Sequence, residues 1–356
     1  MADKLNSKDK NKRLSEDEDK NLKFFWEKCM PENIDTSPII EKVRLKIKQD
    51  KIRKRRFILS SVSIAASVFI FAFVFYFMQQ SRVGGRAEIS RMIAGMEKVD
   101  IKSIKEVTLI TSRNRIALNE NAFVKYTKAG EITVNSQKMN EATATASNEY
   151  NYLLVPGGKR VRLELADGTV LTVNSQSKVL YPRHFNGKDR KIFIDGEAFM
   201  SVAHDKVHPF IVMSEDFNLR VLGTKFNVST YKGMESVVLV RGSVEVTDNR
   251  SHKTKLSPNE MLGFKDGAIS NLKKVDVSEY VSWVDGVLVL KGSSLSAVTQ
   301  KLGTYYGVSV HCSERIADKQ IYGKLCLKND LNKVLQCLQH TIPMKIEKKD
   351  MEFFLK

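Results

Sequence analysis

Proline and glycine are sparse in this 356-residue chain, at 7 and 19 residues, which excludes collagen-like and low-complexity architectures. There is no glycine-rich phosphate loop and no Gly-x-Ser-x-Gly elbow, so neither nucleotide chemistry nor a hydrolase nucleophile is indicated. The 4 cysteines, Cys29, Cys312, Cys326 and Cys337, have the wrong spacing for a common zinc site. His204 and His208 stand four apart with Asp205 between them, superficially a zinc-protease pattern. That chemistry needs a helix to turn both imidazoles onto one metal. Pro209 follows at once and strand-like segments flank both sides, so a turn is predicted. No metal ligand, cofactor or catalytic residue is assigned, and an enzyme is not expected.

What the chain does have is charge and one long apolar run. With 42% hydrophobic and 28% charged residues, it is neither disordered throughout nor a polytopic membrane protein. Lysine and arginine number 58 against 41 acidic residues, and the net charge of +17 invites a nucleic-acid reading. The distribution argues against direct nucleic-acid binding. The densest basic run, Lys48 to Arg56, abuts Phe57 to Met78, which is 22 residues without a charge, glycine or proline. As a helix that run spans about 33 Å, enough to cross a hydrocarbon core of about 30 Å. A cleaved signal peptide fits poorly, because 56 residues precede the run and no small-x-small pattern follows it. Lys48, Lys51, Arg53, Lys54, Arg55 and Arg56 flank one end, while only Arg82 and Arg86 lie near the other. The positive-inside rule then places residues 1–56 in the cytoplasm and 79–356 outside it.

Residues 1–56 are too few for a robust core. Ser15 and Glu18 form a capping box, and Leu22, Phe25, Trp26 and Cys29 fall on one face of the helix that follows. Ser37-Pro38 opens a second helix with Ile40, Val43 and Ile47 as its stripe. The two stripes either pack on each other or are completed by a partner, and partner binding is the reading taken here.

Beyond a linker over 79–105, alternating segments broken by turn residues predict an all-β domain over 106–272. Val161–Leu165 and Val170–Val173 flank Asp167-Gly168 as a hairpin, and Val237–Val240 and Ser243–Val246 are predicted to pair across Arg241-Gly242. Gly168, Gly196, Gly223 and Gly242 read as turn residues, and Phe199, Phe210 and Phe226 as core. Asn227-Val228-Ser229 is formally a glycosylation acceptor, but side-chain hydrogen bonding to backbone is the better reading of Asn227. Residues 277–356 change character. Leu288–Lys291 precedes a helix with Leu295, Val298 and Leu302 on one face. Leu325–Lys328 precedes another with Leu331, Val334, Leu335 and Leu338. Corresponding positions lie 36 or 37 residues apart, which predicts two βαβ units in a small α/β module. The fold class expected is thus a multidomain membrane protein: short α-helical segment, one transmembrane helix, all-β domain and α/β terminal domain.

A succession of short stretches carries a family resemblance. Leu165-Ala166-Asp167-Gly168-Thr169, Asn174-Ser175-Gln176-Ser177, Leu180-Tyr181-Pro182, Gly196-Glu197-Ala198-Phe199 and Pro209-Phe210-Ile211-Val212 come first. Val221-Leu222-Gly223-Thr224-Lys225-Phe226-Asn227-Val228 and Arg241-Gly242-Ser243-Val244 follow. Together they resemble the FecR-like transmembrane sensor family, anti-sigma factors of bacterial cell-surface signalling. From Trp283-Val284-Asp285-Gly286 onward the chain is similar to the terminal domain of Bacteroidota-type members, itself like the short N-terminal domains of secretins and TonB-dependent receptors.

The resemblance implies an inner-membrane protein with its bulk in the periplasm. The N-terminal signalling domain of a TonB-dependent outer-membrane transporter would engage that bulk. The cytoplasmic segment would hold an extracytoplasmic-function sigma factor, and in many members the signal passes by regulated proteolysis, bringing in an intramembrane protease. Leu22, Phe25, Trp26, Ile40 and Val43 are the sigma-contact candidates. Only Phe24-Phe25-Trp26 and Ile34-Asp35-Thr36 resemble the family's longer N-terminal region, so inhibition and activation of the sigma factor both stay open. If the outer compartment is oxidising, Cys312 and Cys326 are the pair to join, against free thiols in or near the core. The alternative function is a membrane-anchored binding or scaffold protein with a vestigial cytoplasmic segment.

Overall fold

The computed structural model describes residues 99–139, 150–328 and 330–356, together with 93–95 and ten helical positions between 20 and 48. Residues 1–87 and 88–356 form two units. In the first, Phe24 and Leu45 are exposed and Lys28 lies over the Phe24 ring. Leu22, Phe25, Trp26, Ile40 and Val43 lie outside the described residues, as does the apolar run 57–78. Among the described residues no helix is long and apolar enough to cross a membrane.

Alternating burial builds most of the second unit: Phe217–Val221 and Val161–Glu164 bury every other side chain, the period of a strand with one face on a core. Among the described residues nine strands form one sheet, in spatial order Lys253–Leu256, Val244–Asp248, Phe217–Val221, Phe210–Met213, Arg190–Asp195, Ser177–Pro182, Tyr150–Val155, Val107–Ile110 and Arg115–Leu118. Ten form the other: Ala268–Lys274, Glu260–Lys265, Ser236–Arg241, Lys225–Ser229, Glu197–Ser201, Val170–Val173, Val161–Glu164, Phe123–Tyr126, Ile132–Val134 and Gln137–Lys138. Both contribute to one apolar core that includes Phe210, Phe226 and Tyr181. Tyr181 keeps its hydroxyl satisfied there, 3.1 Å from that of Tyr126. Ile93, inside the predicted linker, packs on Leu180 and Phe193 of the nine-stranded sheet.

The Asp167-Gly168 hairpin forms as predicted, pairing Leu163 with Leu171. Asp167 does more than turn the chain. Its Oδ2 meets the Nη1 of buried Arg190 at 2.6 Å and accepts from Thr169 Oγ1, while Arg190 also donates to the Ala203 and His208 carbonyls. Removing one member of a buried pair strands the other charge. Asp167→Ala is expected to cost about 3–5 kcal/mol, measurable as a lowered urea midpoint of a 88–356 fragment.

Three expectations need correction. Ser236–Arg241 and Val244–Asp248 do not pair: the first lies between Lys225–Ser229 and Glu260–Lys265, the second between Phe217–Val221 and Lys253–Leu256. The Arg241-Gly242 turn therefore carries the chain from one sheet to the other, and Gly242 stands at φ 100° with a Cβ-free approach to Thr224. Gly168 and Gly196 also have positive φ, but Gly223 does not. A Cβ on Gly223 would lie 2.8 Å from His204 Cα, so close approach of backbones, not a turn dihedral, demands glycine there. The neighbouring Thr224 donates to the Ser243 carbonyl, and Pro209 is buried with its carbonyl accepting from the Arg190 amide. Pro182 ends its strand half-buried.

The third correction concerns the terminal module. Its helices, Leu295–Tyr306 and Leu331–Thr341, bury the predicted faces. Asn/Asp-type capping starts the second, where Asp330 accepts from the Lys333 amide, and Ser294 caps the first. The strands, however, do not make two self-contained βαβ units. Val287–Ser294 pairs antiparallel with Gln320–Cys326, and Glu352–Leu355 inserts between Ser309–Cys312 and Ile346–Lys349. The first strands of the two repeats pair with each other, whereas the second strands are held apart by the unpredicted terminal strand, which runs parallel to Ser309–Cys312 and antiparallel to Ile346–Lys349. Cys312, Cys326 and Cys337 are free thiols, the last two exposed.

Candidate functional site

The segment 203–208, the superficial zinc pattern, is an irregular turn. Asp205 accepts from the amides of Val207 and His208 and pairs with His208 Nδ1 at 2.8 Å, which holds its carboxyl down at about 2. Among the described residues no group of three or more His, Cys, Asp or Glu is placed to hold a metal.

Chemistry instead concentrates where the β domain meets the terminal module. Glu197 begins the Glu197–Ser201 strand, and Asn227 lies opposite it on Lys225–Ser229, in register with Phe199. Glu197 Oε1 accepts from Asn227 Nδ2 at 2.8 Å and Oε2 from Asn174 Nδ2 at 2.6 Å. The Asn227 carbonyl oxygen then accepts from Trp283 Nε1 of the terminal module at 3.2 Å. Trp283 is buried in a short 3-10 turn, Ser282–Asp285, that Gly286 ends in the left-handed region. A polar residue in an apolar strand thus spends both ends of its amide on other side chains, not on backbone as predicted. Asn227 is 1% exposed, which removes it as a glycosylation acceptor.

From the other side, buried Arg160 donates to the Trp283 carbonyl at 2.5 Å and the Val284 carbonyl at 3.2 Å. The Gly158 amide donates to the Tyr305 carbonyl at 2.7 Å. Phe199, expected in the sandwich core, is half-buried and packs instead on the terminal module's core. Hydrogen-bonded side chains, a backbone bond and an aromatic ring therefore fasten the two modules together.

Electrostatics set this joint apart. Desolvation pushes the Glu197 carboxyl above the ordinary range, against the pull of its two amide donors and of Lys301. Burial pushes the Tyr231 hydroxyl well up, with Glu197 adding to it, and Tyr231 donates to the Ser175 carbonyl. Burial pulls the Lys301 amine down although Glu197 and Glu279 favour its charge. Of the residues singled out in the sequence, Glu197, Phe199, Asn227 and Trp283 come together here. Asp167, Gly168, Tyr181, Pro182, Gly196, Pro209, Phe210, Gly223, Thr224, Phe226 and Gly242 shape the sandwich. Arg160, Tyr231 and Lys301 were missed, since a lone charged or phenolic residue carries no pattern. Asn227, polar between two apolar neighbours, was the one available cue.

The joint links a β domain to an α/β module, and parts of both modules match known families. Residues 152–245 match the family described as FecR protein, and residues 287–355 the family described as FecR, C-terminal. Two crystal structures of a "putative anti-sigma factor" from Parabacteroides distasonis ATCC 8503, at 1.65 and 2.50 Å, are each 28% identical to this chain. Each match covers 58% of this chain and 98% of the other, with TM-scores of 0.51 and 0.50. No curated protein matches. The chain thus carries a FecR region followed by a FecR C-terminal region.

Proposed function

We propose that the protein is a single-pass inner-membrane signal transducer, an anti-sigma factor or sigma regulator. It relays the ligand-loaded state of an outer-membrane TonB-dependent transporter to an extracytoplasmic-function sigma factor. The observation that carries this reading is the FecR region followed by the FecR C-terminal region, fastened by the Glu197–Asn227–Trp283 joint and separated from a small N-terminal segment by a 22-residue apolar run. The work is done by protein contacts, with no catalytic step.

In this reading the transporter's signalling domain docks on the terminal module. Among the described residues Val287–Ser294 and Gln320–Cys326 pair only with each other, and Ser309–Cys312 and Ile346–Lys349 are edge strands, so a further strand can be added. Tyr322, 73% exposed on such a strand, offers an aromatic anchor. A load on this module reaches the β domain through Trp283 and Arg160. It reaches the segment leading to the membrane where Ile93 packs on the nine-stranded sheet.

Topology gives the test. A reporter enzyme active only in the periplasm is expected to be active when fused after Arg86 and inactive when fused after Asp50. The reverse pattern would place the joint in the cytoplasm and end the relay reading.

A further inference from the structure

Beside the joint lies a cleft of about 540 Å3, within the range of about 300–1,000 Å3 that small-molecule sites occupy and at a module boundary where they recur. One wall comes from the ten-stranded sheet, including Asn271. The other comes from Glu279 and Tyr280 and from the helix Leu295–Tyr306, with Gln300 and Lys301. Lys301 has its Nζ 5.6 Å from the Tyr280 ring centroid, and among the described residues it makes no ion pair within 4.0 Å. Glu197 and Glu279 act on its charge from further off, while burial pulls its proton affinity down. The amine's charge is thus balanced but its hydrogens are unused.

That pattern selects a ligand. The cleft is lined by Glu197, Glu235 and Glu279 together with Lys273 and Lys301, so an ion of either sign meets like charge there as well as opposite charge. A neutral molecule with many hydroxyls escapes both penalties, because each hydroxyl can accept from an amine or amide and donate to a carboxylate. Tyr280 and Trp283 supply the apolar surface such a molecule needs for its ring carbons. We propose that this cleft binds a neutral, hydroxyl-rich small molecule of sugar-ring size, accepting from Lys301 and Gln300 and donating to Glu279. The site rests on the cleft alone and does not depend on the sigma-factor reading.

The test uses the full chain carrying Trp26→Phe, which leaves Trp283 as its one tryptophan. It is solubilised in an amine-oxide detergent, so that no sugar headgroup competes. Tryptophan fluorescence is titrated with glucose, N-acetylglucosamine and maltose, and with citrate and putrescine as anionic and cationic probes. At least one sugar is expected to give a saturable change, weakened tenfold or more by Lys301→Met and by Gln300→Ala, with neither charged probe saturating. Thermal unfolding of both variants shows whether they remain folded. The proposal is overturned by no saturable response to any of the three sugars, or by saturation with a charged probe only. It is also overturned by binding that either variant leaves unchanged while folded.

Discussion

Gly223→Val is expected to unfold the β domain outright. A Cβ at this position would stand 2.4 Å from His204 Nδ1, 2.8 Å from His204 Cα and 2.9 Å from His204 Cβ. The Asp205 amide donates to the Leu222 carbonyl and the Val202 amide to the Thr224 carbonyl, so the backbones on both sides of the contact are tied and cannot part. Phe226→Ala, three residues on, removes a fully buried ring from the same region and is expected to cost about 3–5 kcal/mol. Valine at 223 should cost more, because overpacking against main chain has no rotamer by which to relax. Circular dichroism melts of the 88–356 fragment check this: Phe226→Ala retains a lowered cooperative transition, and Gly223→Val shows none. A Gly223→Val fragment that melts near the parent temperature would show that the His204 loop moves freely.

Trp283→Ala is expected to separate the two modules without unfolding either. The indole is 5% exposed and sits in the terminal module's core, so truncation costs about 3–5 kcal/mol in apolar contact. It also deprives Asn227 of its donor, leaving a buried amide oxygen unpaired beside the Glu197 carboxyl. Calorimetry should show one transition in the parent fragment and two in the variant, the lower belonging to the terminal module. Trp283→Phe separates the contributions: it keeps most of the ring contact and loses only the N–H, so its shift should be the smaller. A single unshifted transition in Trp283→Ala would remove the joint from the account.

The strands and helix faces were legible because they are local. Val161–Glu164 and Phe217–Val221 alternate, and Leu295, Val298 and Leu302 recur at helical spacing, so each segment announces its own buried face. Partner choice was not local. Arg241-Gly242 has the look of a hairpin, yet the strands it links belong to different sheets, each paired on both sides with other strands. Glu352–Leu355 is short and close to the terminus and carries no extended alternation, although Phe353 and Leu355 complete a core. The joint was partly visible: Glu197, Asn227 and Trp283 stood in the family motifs, but their bonds span 30 and 56 positions and no spacing rule connects them. Arg160 reaches 123 positions to the Trp283 carbonyl, which leaves no trace in the sequence around either residue.

The central proposal is that the short N-terminal segment holds a sigma factor, and co-purification tests it most directly. Full-length chain is extracted from membranes of its native host with a mild detergent, and the bound proteins are identified by mass spectrometry. An extracytoplasmic-function sigma factor should be retained by the parent chain and lost from a Phe25→Ala, Trp26→Ala variant that still inserts in the membrane. A parent chain that retains no sigma factor, or a double variant that retains it equally well, would contradict the account.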